Sequence, residues 1–298
     1  MMQTTGVIQT IAIVGYSVCG SLHVLGIFLL IRAQVKPYSQ RLILINTALA
    51  ALLTLMHLIY YNVKDLIRRA GFYSITPFDS FTACFPYFGY KLFVMYLTLD
   101  RVFAVWYHLH YSAYFTKSRL KKISLGIWSI SLVYATTYTS ITELLNLSST
   151  ENVRHLIYAY VSMNFVIILN VFICYSYLYW KVKKISAKTL MAIKVRRKRS
   201  NVKIRVPLLL CVSYIVFNAP ADYLLLQNVK KTNGTPPMIA VTILYLCGWF
   251  SDIITYVLFQ KEVRKFCFSL LKCNRRSRTD YIKSPIAECS PRIIETRF

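Results

Sequence analysis

Seven apolar runs, each long enough to cross a bilayer, constrain this chain more than any other feature. They lie at 7–31, 42–62, 80–106, 123–142, 156–180, 204–229 and 237–259. A helix rises 1.5 Å per residue, so about 20 residues cover the hydrocarbon core. No water reaches that core to satisfy backbone N–H and C=O groups, so runs of this length are read as helices. The third run is the weakest, because Lys91, Asp100 and Arg101 interrupt it. Short gaps make neighbouring helices antiparallel within one compact bundle. The expected fold is all-α: a seven-transmembrane helix bundle over 7–259, with 1–6 as an extracellular N-terminus and 260–298 as a cytoplasmic extension. No internal repeat is visible, which argues against transporters built from duplicated halves.

Charge sets the orientation and removes one class of function. The chain is 56% apolar yet carries a formal charge of +25. A soluble nucleic-acid binder spreads Lys and Arg over its surface. Here they fall in blocks between apolar runs, which points to membrane lipid as a partner and away from nucleic acid. Arg32, Lys36 and Arg41 fill the first gap, and the gap 181–205 holds a dense basic series ending in Lys203 and Arg205. By the positive-inside rule these stretches and the C-terminus are cytoplasmic and the N-terminus is outside, as in a multi-pass plasma-membrane protein. The sequons at Asn146 and Asn233 fall in gaps on the outer side, where glycosylation takes place. The first run has no basic segment before it and is expected to remain as an anchor.

The eight cysteines form no disulfide framework. Cys19, Cys174, Cys211 and Cys247 lie within apolar runs as packing residues. Cys267 and Cys273 follow the last span on a basic amphipathic segment, a setting for palmitoylation that unmodified thiols fit equally well. No His, Cys and acid set has metal-ligand spacing and no phosphate loop is present, so no cofactor is expected.

Short motifs carry the functional reading. The third run ends in Leu97-Thr98-Leu99-Asp100-Arg101-Val102, and Trp128 follows in the fourth. The seventh holds Asp252-Ile253-Ile254-Thr255-Tyr256 and leads into Lys261-Glu262-Val263-Arg264-Lys265-Phe266. Cys174-Tyr175 lies near the end of the fifth run, and Asn46-Thr47-Ala48-Leu49-Ala50 lies in the second. In this order and spacing they resemble the rhodopsin-like G-protein-coupled receptors, of which the chain looks like a divergent member. The resemblance implies a short amphipathic eighth helix after the seventh span. It also implies a receptor, not an enzyme, that passes an extracellular signal to a heterotrimeric G protein. In such a receptor Asp100 restrains Arg101 at rest. On activation the sixth helix swings out, and Arg101 extends to the G protein with support from Tyr175 and Tyr256. Asp252 belongs to the helix-seven motif, and the basic stretch with Lys203 and Arg205 lines the G-protein face or meets anionic lipid. The ligand acts by binding the open state better than the closed one.

The chain departs from the family at several positions. Ala51 replaces the acid of its sodium site, Asn218 its helix-six Trp, Ile167 its helix-five Pro, and Ser200 the acid that locks Arg101 to helix six. A resting state without these restraints is expected to show raised basal activity. No Cys lies between the fourth and fifth runs to tether that loop. Ala83 stands where amine receptors carry Asp, and Leu246 where opsins carry the retinal Lys. Neither a conventional amine nor retinal is therefore expected.

Charges inside spans are costly and by default mark function. Lys91 lies ten residues before Arg101, about 15 Å deeper along a helix, and so near mid-membrane. Asp222 follows Pro220 on the outer half of the sixth helix. Tyr87, Asn218, Thr242 and Tyr245 complete the expected wall of a ligand pocket. There Asp222 takes a cationic or polar ligand, or Lys91 an anionic one. The structural alternative pairs Lys91 with an inward acid or with Asn218 and Asn170. Short outer segments favour a small extracellular molecule over a short peptide. Three other classes compete. One is a proton-coupled transporter or channel with Lys91, Asp222 and Asp252 as a relay. The second is a membrane aspartyl pair of Asp222 and Asp252 sharing a proton, although the flanking residues do not resemble that enzyme family. The third is a ligand-independent scaffold of receptor shape.

Overall fold

The computed structural model describes residues 2–33, 35, 38–68, 77–106, 110–144, 149–188, 208–230, 238–258 and 260–269. Regular structure among these residues is entirely helical. The helices are α1 (Met2–Arg32), α2 (Tyr38–Arg68), α3 (Pro77–Trp106), the single turn α4 (Tyr111–Tyr114), α5 (Lys117–Leu144) and α6 (Ser149–Lys188). They are followed by α7 (208–230), α8 (Met238–Leu258) and the short α9 (261–269).

Five helices contain a stretch long and apolar enough to cross a membrane: Gln9–Arg32 in α1, Tyr38–Lys64 in α2, Val161–Trp180 in α6, Leu208–Leu225 in α7 and Ile239–Tyr256 in α8. Helices α3 and α5 have the length, at 30 and 28 residues, but fall short on composition. In α3 the cause is Lys91, Asp100, Arg101 and the tyrosines 87, 90 and 96; in α5 it is a basic first turn and a series of Ser and Thr up to Thr142. Packing explains how α3 tolerates this. It lies against α2, α5 and α6, so its polar side chains meet protein. Helix α1 packs on α2 and α8, and α7 on α6 and α8, which closes the bundle. Helices α2 and α6 run past the apolar stretches read from sequence, because a helix does not have to stop where the hydrocarbon does.

The outer helices are inverted relative to a soluble protein. Val7, Ile11, Val14 and Val18 form an exposed stripe on α1, while Ala12, Tyr16, Cys19 and His23 form the buried one. Both recur at steps of three or four, the period of one helix face. Ile239, Ile243, Phe250 and Ile254 form the corresponding exposed stripe on α8.

Two local features set the interior. At Gly89, an added Cβ would lie 3.2 Å from the Trp128 ring and 3.3 Å from Ser131 Oγ. Glycine is therefore what lets α5 lay its Trp on the backbone of α3. Trp128 then donates its Nε1–H to Asn46 Oδ1 of α2 at 2.9 Å and packs against Phe85 and Phe93, each with a centroid separation of 5.4 Å. In α7, Pro220 has no N–H to give to the preceding turn and its ring crowds that turn's carbonyl. The helix responds with one π-helical turn, Tyr214–Asn218, directly before it. Such a turn is a weak point in the hydrogen-bond ladder and a place where a helix bends.

Candidate functional site

The interior holds a column of buried polar groups, and Asp222 of α7 is its hub. The carboxylate is fully buried. Its Oδ2 accepts from Lys91 Nζ at 3.1 Å and Asn164 Nδ2 at 2.7 Å. Tyr87 Oη donates to both oxygens, at 2.9 Å and 3.0 Å, and Tyr245 Oη donates to Oδ1. Tyr214 Oη donates in turn to Asn164 Oδ1. The Lys91 ammonium also lies 4.4 Å from the Tyr87 ring centroid, within cation–π range.

Helix geometry brings these groups together. Tyr87 and Lys91 are four apart on α3 and share a face. Tyr214 and Asp222 are eight apart, which on a regular helix turns them about 80° away from each other. The π turn between them absorbs one extra residue and returns Asp222 to within about 20° of Tyr214. The inward acid beside Lys91 is thus Asp222, and the structure unites Tyr87, Lys91, Asp222 and Tyr245 of the expected pocket wall.

Two expected wall residues stand apart. Asn218 is buried on the π turn, but neither of its amide atoms has a hydrogen-bond partner, and it rests against Gly248 of α8. Thr242 is half-buried on α8, away from the donors around Asp222. Asn164 and Tyr214 belong to the hub and were not singled out from sequence. Each is one polar or amphipathic residue in a long apolar run, a pattern that ordinary packing produces as well.

One layer further towards Arg101, Asp252 of α8 is fully buried and its Oδ2 accepts from Tyr90 Oη at 2.6 Å. The Tyr90 ring stands 4.8 Å from Trp249 and 6.1 Å from Tyr214, so it links this layer to the hub above. Tyr256 lies one turn beyond Asp252, fully buried, its ring 6.4 Å from His23 of α1. Tyr90 is a residue that the sequence reading missed, since it neighbours Lys91 but projects towards a different helix.

The third layer closes one end of the bundle. Asp100 is fully buried and Arg101 only 3% exposed. Arg101 donates through Nε at 3.0 Å, and through Nη2, to Asp100 Oδ2. Tyr111 of α4 donates to Asp100 Oδ1, and its Oη lies 2.9 Å from Ser39 Oγ of α2. Burial first, and then the Asp100 charge, hold the Tyr111 phenol above its ordinary value. It therefore remains a donor at neutral pH. Tyr175 of α6 is half-buried and packs against the core cluster that contains Cys211 of α7.

On α9, Val263 is buried and Phe266 and Cys267 pack on the bundle beside it, while Lys261, Arg264, Lys265 and Phe268 are exposed. Cys267 thus shares the inward face of an amphipathic helix. Lys203, Arg205, Asn146, Asn233 and Cys273 lie outside the described residues. Compared with known proteins, the chain matches no protein-family model and no curated sequence.

Proposed function

We propose that this chain is a seven-span receptor of the rhodopsin-like kind, set in the plasma membrane with its N-terminus outside. It passes a small-molecule signal to heterotrimeric G proteins. The observation that carries the reading is the Arg101 layer. An always-charged guanidinium sits almost fully buried near the end of α3, restrained among the described residues by its neighbour Asp100, which Tyr111 holds in turn. A buried Arg at a helix end, tied by one adjacent acid, is positioned to change partners rather than to anchor the fold. In this reading α3 and α5 are the two remaining spans. α3 is admitted by its neighbours rather than by its own composition.

The test is a G-protein dissociation panel in cells, run first without ligand and then with a broad compound set. The expected result is a response from at least one G-protein class that Arg101→Ala abolishes while surface expression persists. A response unaffected by Arg101→Ala, or none across the panel, overturns the reading.

One observation favours a second reading. A mid-span pair such as Lys91–Asp222 is also the kind of group a proton-coupled transporter uses. Uptake or proton flux that survives Arg101→Ala and stops in Lys91→Met supports that alternative instead.

A further inference from the structure

This inference rests on the receptor reading and concerns what holds the resting state. At the Arg101 end, Arg101 is bonded within its own helix. There α3 meets α7 through a Thr98 Oγ–Cys211 Sγ contact of 3.3 Å, a weak bond because sulfur is a poor partner. Among the described residues, the ion pair that joins α3 to α7 lies elsewhere, at Lys91–Asp222.

Asp222 is placed to do more than neutralise Lys91. Its single carboxylate bonds α3 through Lys91 and Tyr87, α6 through Asn164 and α8 through Tyr245. It sits two residues past Pro220 and just beyond the π turn, on the far side of the weakest point in α7. Tying the 219–230 side of the hinge to three helices sets the direction from which the 208–213 segment leaves the π turn. We propose that Asp222 is a latch: its carboxylate holds α7 against three neighbouring helices, and neutralising it lets the 208–213 end of α7 move away from α3.

The hydrogen-bond count ties the latch to the ligand. A carboxylate offers about four acceptor positions, and here four donor side chains fill them. A ligand that engages Asp222 has to displace one of these donors. Lys91 is the donor whose displacement leaves a charge buried. Occupying this site and releasing the latch are then the same event.

The test uses the full-length chain in lipid nanodiscs, spin-labelled at Leu208→Cys and Lys121→Cys, both solvent- or lipid-accessible positions near the Arg101 end. Cys247, Cys267, Cys273 and Cys289 are changed to Ser in this background. Pulsed electron resonance gives the distance distribution. Asp222→Asn, which keeps the shape and removes the charge, is expected to raise the ratio of long to short distances about tenfold, with Asp222→Glu closer to the parent. Lys91→Met/Asp222→Asn buries no unpaired charge and serves if the single variant does not fold; it is expected to shift the same way. A monodisperse neutralised variant with an unchanged distribution overturns the latch. Arg101→Ala separates the two claims, because it removes coupling without moving the labels. A shift in a protein that couples to no G protein leaves the latch standing and removes the receptor reading. Intact coupling without a shift does the reverse.

Discussion

Replacing Lys91 by Met retains most of the side-chain volume and removes the charge that faces Asp222. The carboxylate keeps its bonds from Tyr87, Tyr245 and Asn164 but has no counter-ion at 3.1 Å. Deleting one partner of a buried ion pair costs about 3–5 kcal/mol, and three surviving donors put this case near 3 kcal/mol. Asp222→Asn strands the other charge. Lys91 then retains the Tyr87 ring at 4.4 Å, which offsets about 2 kcal/mol at most, so a loss of about 3 kcal/mol is expected again. The double variant leaves no charge unpaired, and an amide oxygen still accepts from the tyrosines. It should be at least as stable as either single variant, a coupling of about 3 kcal/mol. The assay is the temperature at which half of the detergent-solubilised protein loses its monodisperse peak, compared at one heating rate because an irreversible transition depends on that rate. Each single variant should fall by about 6–12 °C, and the double by no more. Single variants within a degree or two of the parent, or a double variant showing the summed loss, would refute a formed and coupled pair.

Other consequences follow from the same interior. On the receptor reading, Tyr111→Phe, which removes the donor to Asp100 Oδ1, should raise ligand-free G-protein output severalfold. Its phenol is held above the ordinary value of 10.0, so the bond is complete below about pH 10 and is lost only as pH rises past the raised value. The parent's basal output should therefore show no Tyr111-dependent step between about pH 6 and 9, and a step there that Tyr111→Phe abolishes contradicts the assignment. Gly89→Ala should lower stability by about 1–3 kcal/mol, because the Trp128 ring it meets at 3.2 Å is pinned by Asn46 and two Phe rings. Gly248→Ala meets Asn218 even more closely, at 3.0 Å, but that side chain has no bond to lose and should yield. A greater loss of thermal stability at Gly248 than at Gly89 reverses the expectation.

What could be read from the residues alone depended on how local the signal was. The exposed stripes of α1 and α8 have the helical period within one run, so both spans are visible before any packing is known. Lys91 and Asp222 could each be flagged as costly, and Tyr87 placed on the face of Lys91. Their pairing depends on the relative register of α3 and α7, which no short window contains. Composition also reads α3 as a poor span because it counts polar groups and not what covers them. Asn218 was expected in the pocket from its position beside Pro220. Asn218 stands one turn nearer the Arg101 end than Asp222 on the same side of α7, so it meets α8 at Gly248 while Asp222 meets it at Tyr245 in the hub.

The separation of Lys91 from Asp222 along the chain is 131 residues. At a synthesis rate of about 5–20 residues per second, Lys91 precedes its acid by roughly 7–26 s. Through that interval a poorly apolar helix with a mid-span cation has neither its counter-charge nor the tyrosine of α8. It has only α2 and, later, α5 and α6 for shelter. On the receptor reading, in which α3 is a span, the carboxylate assigned to hold the finished bundle therefore also decides when α3 becomes secure in the membrane. Chains ending before α7 are expected to lose α3 from the bilayer, or the whole product to degradation, more readily than chains ending just after Asp222.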